Sequence, residues 1–138
     1  MLYQKIFLSL AGKDGEDKAI EEAMRIVSAL NARLTVVHIN DPAAGKTHMM
    51  MDTLPKVTVD EMIEMFVKVG YSDQLHEIEF RLVEDESYAK AIATATREAD
   101  LLILGHHPKN AIMAHLTDGT DERVADLMQC PVLLVPLV

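Results

Sequence analysis

The 138-residue chain sets 13 basic against 22 acidic side chains, a formal charge of −9 that repels phosphate backbones and anionic lipid surfaces and so excludes nucleic acid and membranes as partners. It is 49% hydrophobic but only 4% aromatic, so its core has to be aliphatic, as in a Val/Ile/Leu parallel sheet covered by Ala- and Met-rich helices. The length suits one domain, taken as residues 1–138, and the lone Cys130 excludes an internal disulfide and points to a reducing, cytoplasmic compartment.

The N-terminus runs directly into a strand with no signal-peptide pattern, and no apolar run approaches the roughly 20 residues of a membrane span. Ile6-Phe7-Leu8-Ser9-Leu10 reads as the first strand, ended by Ala11-Gly12. A helix is expected over about 15–31, with Ile20, Ala23, Met24, Val27 and Leu30 on its buried face. Leu34-Thr35-Val36-Val37-His38-Ile39 is the second strand, in which His38 reads as a satisfied core histidine; Asn40-Asp41-Pro42 closes it. Residues 40–57 form the longest irregular stretch, of a length that loops in compact domains reach when they are mobile or functional.

Thr58 and Glu61 make a capping box for the second helix, whose stripe is Met62, Ile63, Phe66 and Val67 and whose end is Gly70. His76-Glu77-Ile78-Glu79-Phe80-Arg81-Leu82 alternates polar with apolar, the pattern of a half-exposed strand at a sheet edge. Ser87 is the expected cap of a helix reaching about residue 98, with Ile92 and Ala95 inward. Leu101-Leu102-Ile103-Leu104 is continuously apolar, hence a central strand. A last helix over about 120–129 buries Val124, Leu127 and Met128, and residues 131–138 form a fifth strand. Five strands joined by four helices predict an α/β fold: an open five-stranded parallel sheet with helices on both faces. Ligands of such sheets collect at the carboxyl ends of the strands, here the loops 11–17, 40–57, 83–87 and 105–120.

The segment Asp100-Leu101-Leu102-Ile103-Leu104-Gly105-His106-His107, continued through Gly119-Thr120 to Cys130-Pro131-Val132-Leu133-Leu134-Val135-Pro136, resembles the universal stress proteins. In that family a D-L-[IV]-[IV]-x-G strand end leads to a G-[ST] helix start and then to P-V-L-[VL]-V. Lys5-Ile6-Phe7-Leu8, the acid-rich start of the first helix and Val36-Val37-His38-Ile39 match as well, so the likeness spans the whole chain. It implies a Rossmann-like fold similar to the adenine nucleotide alpha hydrolases, and a homodimer.

Nucleotide-binding members of the family carry G-x-x-G, nine residues, then G-[ST], in which glycines let backbone amides approach phosphates at a helix N-terminus. Here Gly105 is present, but Pro108 stands at the second glycine and has no amide hydrogen, and Gly119-Thr120 arrives one residue late. The aspartate common after the first strand is Ala11, and the glycine common after the third strand is Glu86. Gly105-His106-His107 with the late Val135-Pro136-Leu137 instead resembles the A-type subclass, which generally lacks nucleotide binding. Were a nucleotide bound, as ATP with Mg²⁺, the resemblance would put it against Leu10, Ala11, Val37, Gly105, His106, Gly119 and Thr120.

Acidic residues crowd the same loops: Asp14, Glu16 and Asp17; Glu84, Asp85 and Glu86; Asp118, Asp121 and Glu122, with Lys13 and Lys109 as nearby cations. First-turn acids satisfy a helix dipole, at about 0.3–1 kcal/mol each, and they also oppose a triphosphate. His106, His107 and His115, with His48, raise a metal-responsive reading, but neighbouring histidines in extended chain point opposite ways and no zinc-site spacing is present. Met49-Met50-Met51 reads as apolar contact rather than copper ligation, and Cys130 as a small buried hydrophobe with no basic surroundings. Neither a G-x-S-x-G elbow, a P-loop, G-x-G-x-x-G nor C-x-x-C occurs, so no catalytic constellation or metal site is predicted. The uncharged last strand, at a sheet edge by chain order, would aggregate unless covered; pairing with a second copy through Val132, Leu133, Leu134, Val135 and Leu137 is the expected cover, with Pro131 and Pro136 as the alternative protection.

The resemblance, together with the altered phosphate loop, implies a non-enzymatic, homodimeric stress-response or signalling module without a cofactor. An ATP- or AMP-binding regulatory protein with at most slow hydrolysis and a metal-responsive protein using the loop histidines are the alternatives.

Overall fold

The computed structural model describes residues 3–12, 15–42, 56–106 and 120–137, with the side chains of 120 and 121 left out. Its strands are β1 (Lys5–Leu10), β2 (Arg33–Asn40), β3 (Ile78–Glu84), β4 (Leu101–His106) and β5 (Val132–Pro136). Its helices are α1 (Asp17–Leu30), α2 (Val59–Lys68), α3 (Tyr88–Ala95) and α4 (Thr120–Leu127). A 3-10 helix, Ser72–Glu77, leads into β3. The strands form one parallel sheet in the order β3-β2-β1-β4-β5, as expected from the alternation of strand and helix.

Alternation along β1 sorts the core into two layers. Ile6, Leu8 and Leu10 face α1 and α2, meeting Ala19, Ile20, Ala23 and Met24 of one helix and Met62 and Phe66 of the other. Phe7 faces α3 and α4, with Val37, Leu102, Leu104, Ile92 and Val124. Each of these large side chains contributes about 1.5–3 kcal/mol on burial, so the two layers hold the sheet between its helices. Phe66 meets Phe80 edge to face at 5.4 Å, which ties α2 to the β3 edge. Arg81 lies over the Phe7 ring and bridges Glu79 and Glu98 at 3.0 and 2.7 Å, tying β3 to the end of α3. Those hydrogen bonds from Arg81 hold the Glu79 carboxyl below its usual range.

Sequence signals at the ends are met in most places. Thr58 and Glu61 form the reciprocal capping box of α2, and Gly70 follows the helix at φ +98. Asn31 closes α1 in the left-handed region at φ 52, which its short polar side chain tolerates.

Several boundaries move and one cap differs. β3 starts at Ile78 rather than His76, because 72–77 wind as a 3-10 helix and pairing with β2 begins at Leu34↔Ile78. α3 stops at Ala95 rather than 98, with Thr96 as its C-cap: the Ile92 carbonyl accepts both the Thr96 N–H at 2.9 Å and the Thr96 hydroxyl at 2.7 Å. Ser87 stands at the N-cap of α3 without a side-chain cap bond; its N–H donates instead to Asp85 Oδ1 at 2.8 Å. α4 ends at Leu127, which is 46% exposed rather than buried, while Met128 just beyond it packs against the α3/α4 layer. No helix among the described residues is long and apolar enough to cross a membrane.

Candidate functional site

The strand order reverses between β1 and β4, since the chain leaves β1 toward β2 on one side and later places β4 on the other. That reversal lies at the carboxyl ends of the two strands, the place where doubly wound sheets form their ligand crevice.

On the β1 side, Leu10 is 1% exposed and Ala11 and Gly12 lie at the surface. Gly12 has φ +77, and a Cβ there would stand 2.9 Å from Val57 Cγ2, so both conformation and space require glycine. Glu16 then folds back: its carboxylate, 2% exposed, accepts the Ala11 N–H at 2.7 Å. Charge-assisted and part-buried, this bond occupies the first backbone donor past β1 with the chain's own carboxylate.

On the β2 side, His38 and Asn40 point the same way, two residues apart on one strand. His38 Nδ1 pairs with the Leu10 carbonyl and Nε2 with Asn40 Oδ1 at 2.9 Å. Asn40 Oδ1 also accepts the Val57 N–H at 3.1 Å, while Nδ2 donates to the Val57 carbonyl at 2.8 Å. Pairing with both backbone groups of Val57 fixes which end of the amide is oxygen, so the imidazole sits between two acceptors. His38 is 5% and Asn40 2% exposed. The pair fastens the exits of β1 and β2 to the chain entering α2, and His38 is buried and hydrogen-bonded, as its strand position implied.

On the β4 side, Gly105 and His106 are half-buried, and Leu137 lies directly on Gly105. Among the acidic groups of these loops, Glu84 pairs with Lys56 at 3.3 Å and Asp85 accepts the Ser87 N–H.

The predicted contacts divide accordingly. Leu10, Ala11, Gly105 and His106 border the crevice. Val37 does not: it is fully buried with Phe7 in the α3/α4 layer, as its position opposite Ser9 dictates. The backbone of Thr120 opens α4, while Gly119, Pro108, His107, His115, His48 and Met49-Met50-Met51 lie outside the described residues. Among the described residues no three His, Cys, Asp or Glu side chains gather to hold a metal. Of the edge residues on β5, Leu133 and Leu134 are 36% and 40% exposed and Val132 is half-buried, whereas Val135 and Leu137 turn into the α1 layer.

Sequence reasoning missed Asn40 and the inward turn of Glu16. An Asn two residues after a strand histidine, on the same face, was the available signal for the first. A depression of about 130 Å³ lies away from this crevice, between the ends of α3 and α4, lined by Thr96, Arg97, Gln129 and Cys130. Desolvation there pushes the Cys130 thiol up, as for a structural rather than a reactive cysteine.

No curated protein matches the chain. Solved structures do. A universal stress protein in complex with cAMP superposes with a TM-score of 0.69 at 22% identity over 100% of both chains. A universal stress family protein from Burkholderia pseudomallei gives 0.60 at 24% identity, over 97% of this chain and 96% of that one. One from Archaeoglobus fulgidus in complex with dAMP gives 0.62 at 18% identity, over 97% and 98%. At these identities the likeness establishes the fold. The family model described as "Universal stress protein family" matches residues 2–136. The chain therefore belongs to the universal stress protein family.

Proposed function

We propose that this chain is a non-enzymatic stress-response or signalling module of the A-type subclass, acting as a cytoplasmic homodimer and taking no ATP into its crevice. The observation that carries this is the buried Glu16 carboxylate on the Ala11 N–H, 2.7 Å away. An incoming phosphate would meet a carboxylate where it needs a donor, and like charges at short range repel. Pro108 in place of the second loop glycine removes a further donor. The edge of β5, with Leu133 and Leu134 exposed, supports pairing of two copies strand to strand, through Val132, Leu133, Leu134 and the backbone. Titration with a fluorescent ATP analogue in the presence of Mg²⁺ tests the reading: no saturable binding is expected, and micromolar affinity overturns it.

A second reading, an adenine-nucleotide-binding regulator, draws on the cAMP and dAMP held by two of the structural neighbours. Under it, ATP with Mg²⁺ would lie along Ala11, Gly105, His106, Gly119 and Thr120, and a bulky replacement of Gly119 would abolish nucleotide protection in a thermal-shift assay. The metal-responsive reading through His106, His107 and His115 is decided by elemental analysis of untagged protein, where a stoichiometric metal is its required outcome.

A further inference from the structure

Away from the crevice, beside the amino ends of β4 and β5, the end of α3 and the end of α4 leave a depression of about 130 Å³ between them. Its floor is fixed from both helices. The Thr96 hydroxyl donates to the Ile92 carbonyl at 2.7 Å and stands 3.3 Å from Met128 Sδ, which joins the C-cap of α3 to the chain leaving α4. Ala99 and Met128 make that floor apolar, and Leu127, 46% exposed, adds an apolar wall. Polar groups complete the lining: the exposed Arg97, with Gln129 and Thr94.

Charge and size decide what such a depression takes. In a chain with 22 acidic side chains, this lining holds a guanidinium and no carboxylate. Arg97 has no ion pair or side-chain hydrogen bond among the described residues. The carboxylates nearby are engaged or turned away. Glu98 is held by Arg81 at 2.7 Å, and Asp100 accepts the Gln4 and Lys5 N–H groups at 2.9 Å. Glu122 and Asp126 lie two residues either side of the buried Val124, hence on the outer face of α4. Burial pushes the Cys130 thiol up, so it stays neutral at neutral pH. Sites for drug-sized ligands run to about 300–1,000 Å³, whereas about 150 Å³ holds a benzene-sized molecule, so this space excludes a nucleotide.

We infer that this depression binds a small aliphatic monocarboxylate, its head on the Arg97 guanidinium and its short tail against Leu127 and Met128. A guanidinium matches a carboxylate with two parallel N–H···O bonds. A single cation over an apolar floor suits one negative charge with a tail better than a phosphate, which has no group to bury there. The inference stands whether or not the crevice takes a nucleotide.

Cys130 lines the depression and is the only cysteine of the chain, so its labelling rate reads occupancy. Labelling with methyl methanethiosulfonate is followed at constant ionic strength with isovalerate, with its neutral isostere isovaleramide, or with inorganic phosphate. Isovalerate is expected to slow labelling saturably, at least about threefold, with half-saturation in the roughly millimolar range open to so small a ligand. Isovaleramide and phosphate are expected to need at least about tenfold higher concentrations, and Arg97→Gln to weaken isovalerate by about tenfold at an unchanged urea midpoint. Backbone amide shifts at Ala93 and Ala99 are expected to titrate with the same midpoint, and shifts confined to other residues overturn the site. An unprotected wild-type thiol, or equal protection by isovaleramide, by phosphate or in a folded Arg97→Gln, overturns it as well. Should Arg97→Gln not fold, Leu127→Asp decides, since it sets a carboxylate on the exposed apolar wall: weaker protection by isovalerate supports the site, and protection equal to wild type overturns it.

Discussion

One buried amide, that of Asn40, carries three hydrogen bonds: two to the Val57 backbone and one to His38. Removing it leaves a buried N–H, a buried carbonyl and one imidazole nitrogen without partners, and each orphan costs about 1–3 kcal/mol. Asn40→Ala is therefore expected to lose about 3 kcal/mol or more, seen as a urea midpoint lower by about 1.5 M or more at unchanged slope. Asn40→Asp is expected to fall as well, because an oxygen replaces the donor facing the Val57 carbonyl. Loss of less than about 0.5 kcal/mol in Asn40→Ala would dismiss the amide as the fastening of the crevice. Asp100, the first residue of the family-like strand motif, has an equally local task. It accepts the Lys5 and Gln4 N–H groups, each at 2.9 Å, and so anchors the start of β1 beside β4. Those bonds, with Lys5 the larger cause, hold its carboxyl below the ordinary aspartate value of 3.8. A lowered folded-state value means that its contribution is complete above the unfolded value and is lost as pH falls through the folded one. Asp100→Asn is thus expected to flatten the acid limb of a stability–pH curve measured by urea midpoints below about pH 4, and an unchanged limb would assign the acid sensitivity elsewhere.

At the level of elements, the contact between Gly105 on β4 and Leu137 beyond β5 makes a reciprocal prediction. Gly105→Ala places a methyl 2.7 Å from Leu137 Cδ1 and is expected to destabilise by about 1–3 kcal/mol through overpacking, less any gain from a stiffer unfolded chain. Leu137→Ala removes the colliding group and opens a void, at about 2–5 kcal/mol. In the double variant the new methyl occupies part of that void, so its loss should fall short of the sum by at least about 1 kcal/mol in a double-mutant cycle followed by denaturant unfolding. Strict additivity would show that the two residues do not share the space. Such a contact is invisible in sequence, because it joins positions 105 and 137 across the β4–β5 pairing, which no local propensity encodes. What was legible were periodic features. The alternating edge strand, the apolar run of β4, and the Thr58/Glu61 capping box with Gly70 each follow from local chemistry. The displaced starts and stops, His76 against Ile78 and residue 98 against Ala95, lie at a polar 3-10 turn and at a Thr C-cap. For the crevice, the sequence located Leu10, Ala11, Gly105 and His106 because strand ends can be counted. It misplaced Val37 because a run buried on both faces hides which residue reaches the mouth.

For the molecule as a whole, the sheet has two edges, and they are protected differently. β3 carries Glu79, Arg81 and Glu84 along its length, with Arg81 anchored to Glu98 and the Ala95 carbonyl, and such charges discourage strand addition. β5 carries no charge from Val132 to Pro136 and exposes Leu133 and Leu134 on its two faces. Its alternate residues are already committed to the protein's own layers, Val135 to the α1 side and Val132 to the α3 side. A partner strand would therefore be held by backbone pairing along β5 and by these two leucines rather than by the whole apolar run. Leu134→Lys puts a charge at that edge without disturbing the core, because 40% of the residue is already exposed. In sedimentation velocity at micromolar concentration, wild type is expected to sediment as a dimer and Leu134→Lys as a folded monomer, with the same change weaker for a lysine on the charged β3 edge at Leu82. A wild type that remains monomeric, or a Leu134→Lys that stays dimeric, would move the self-association surface away from β5.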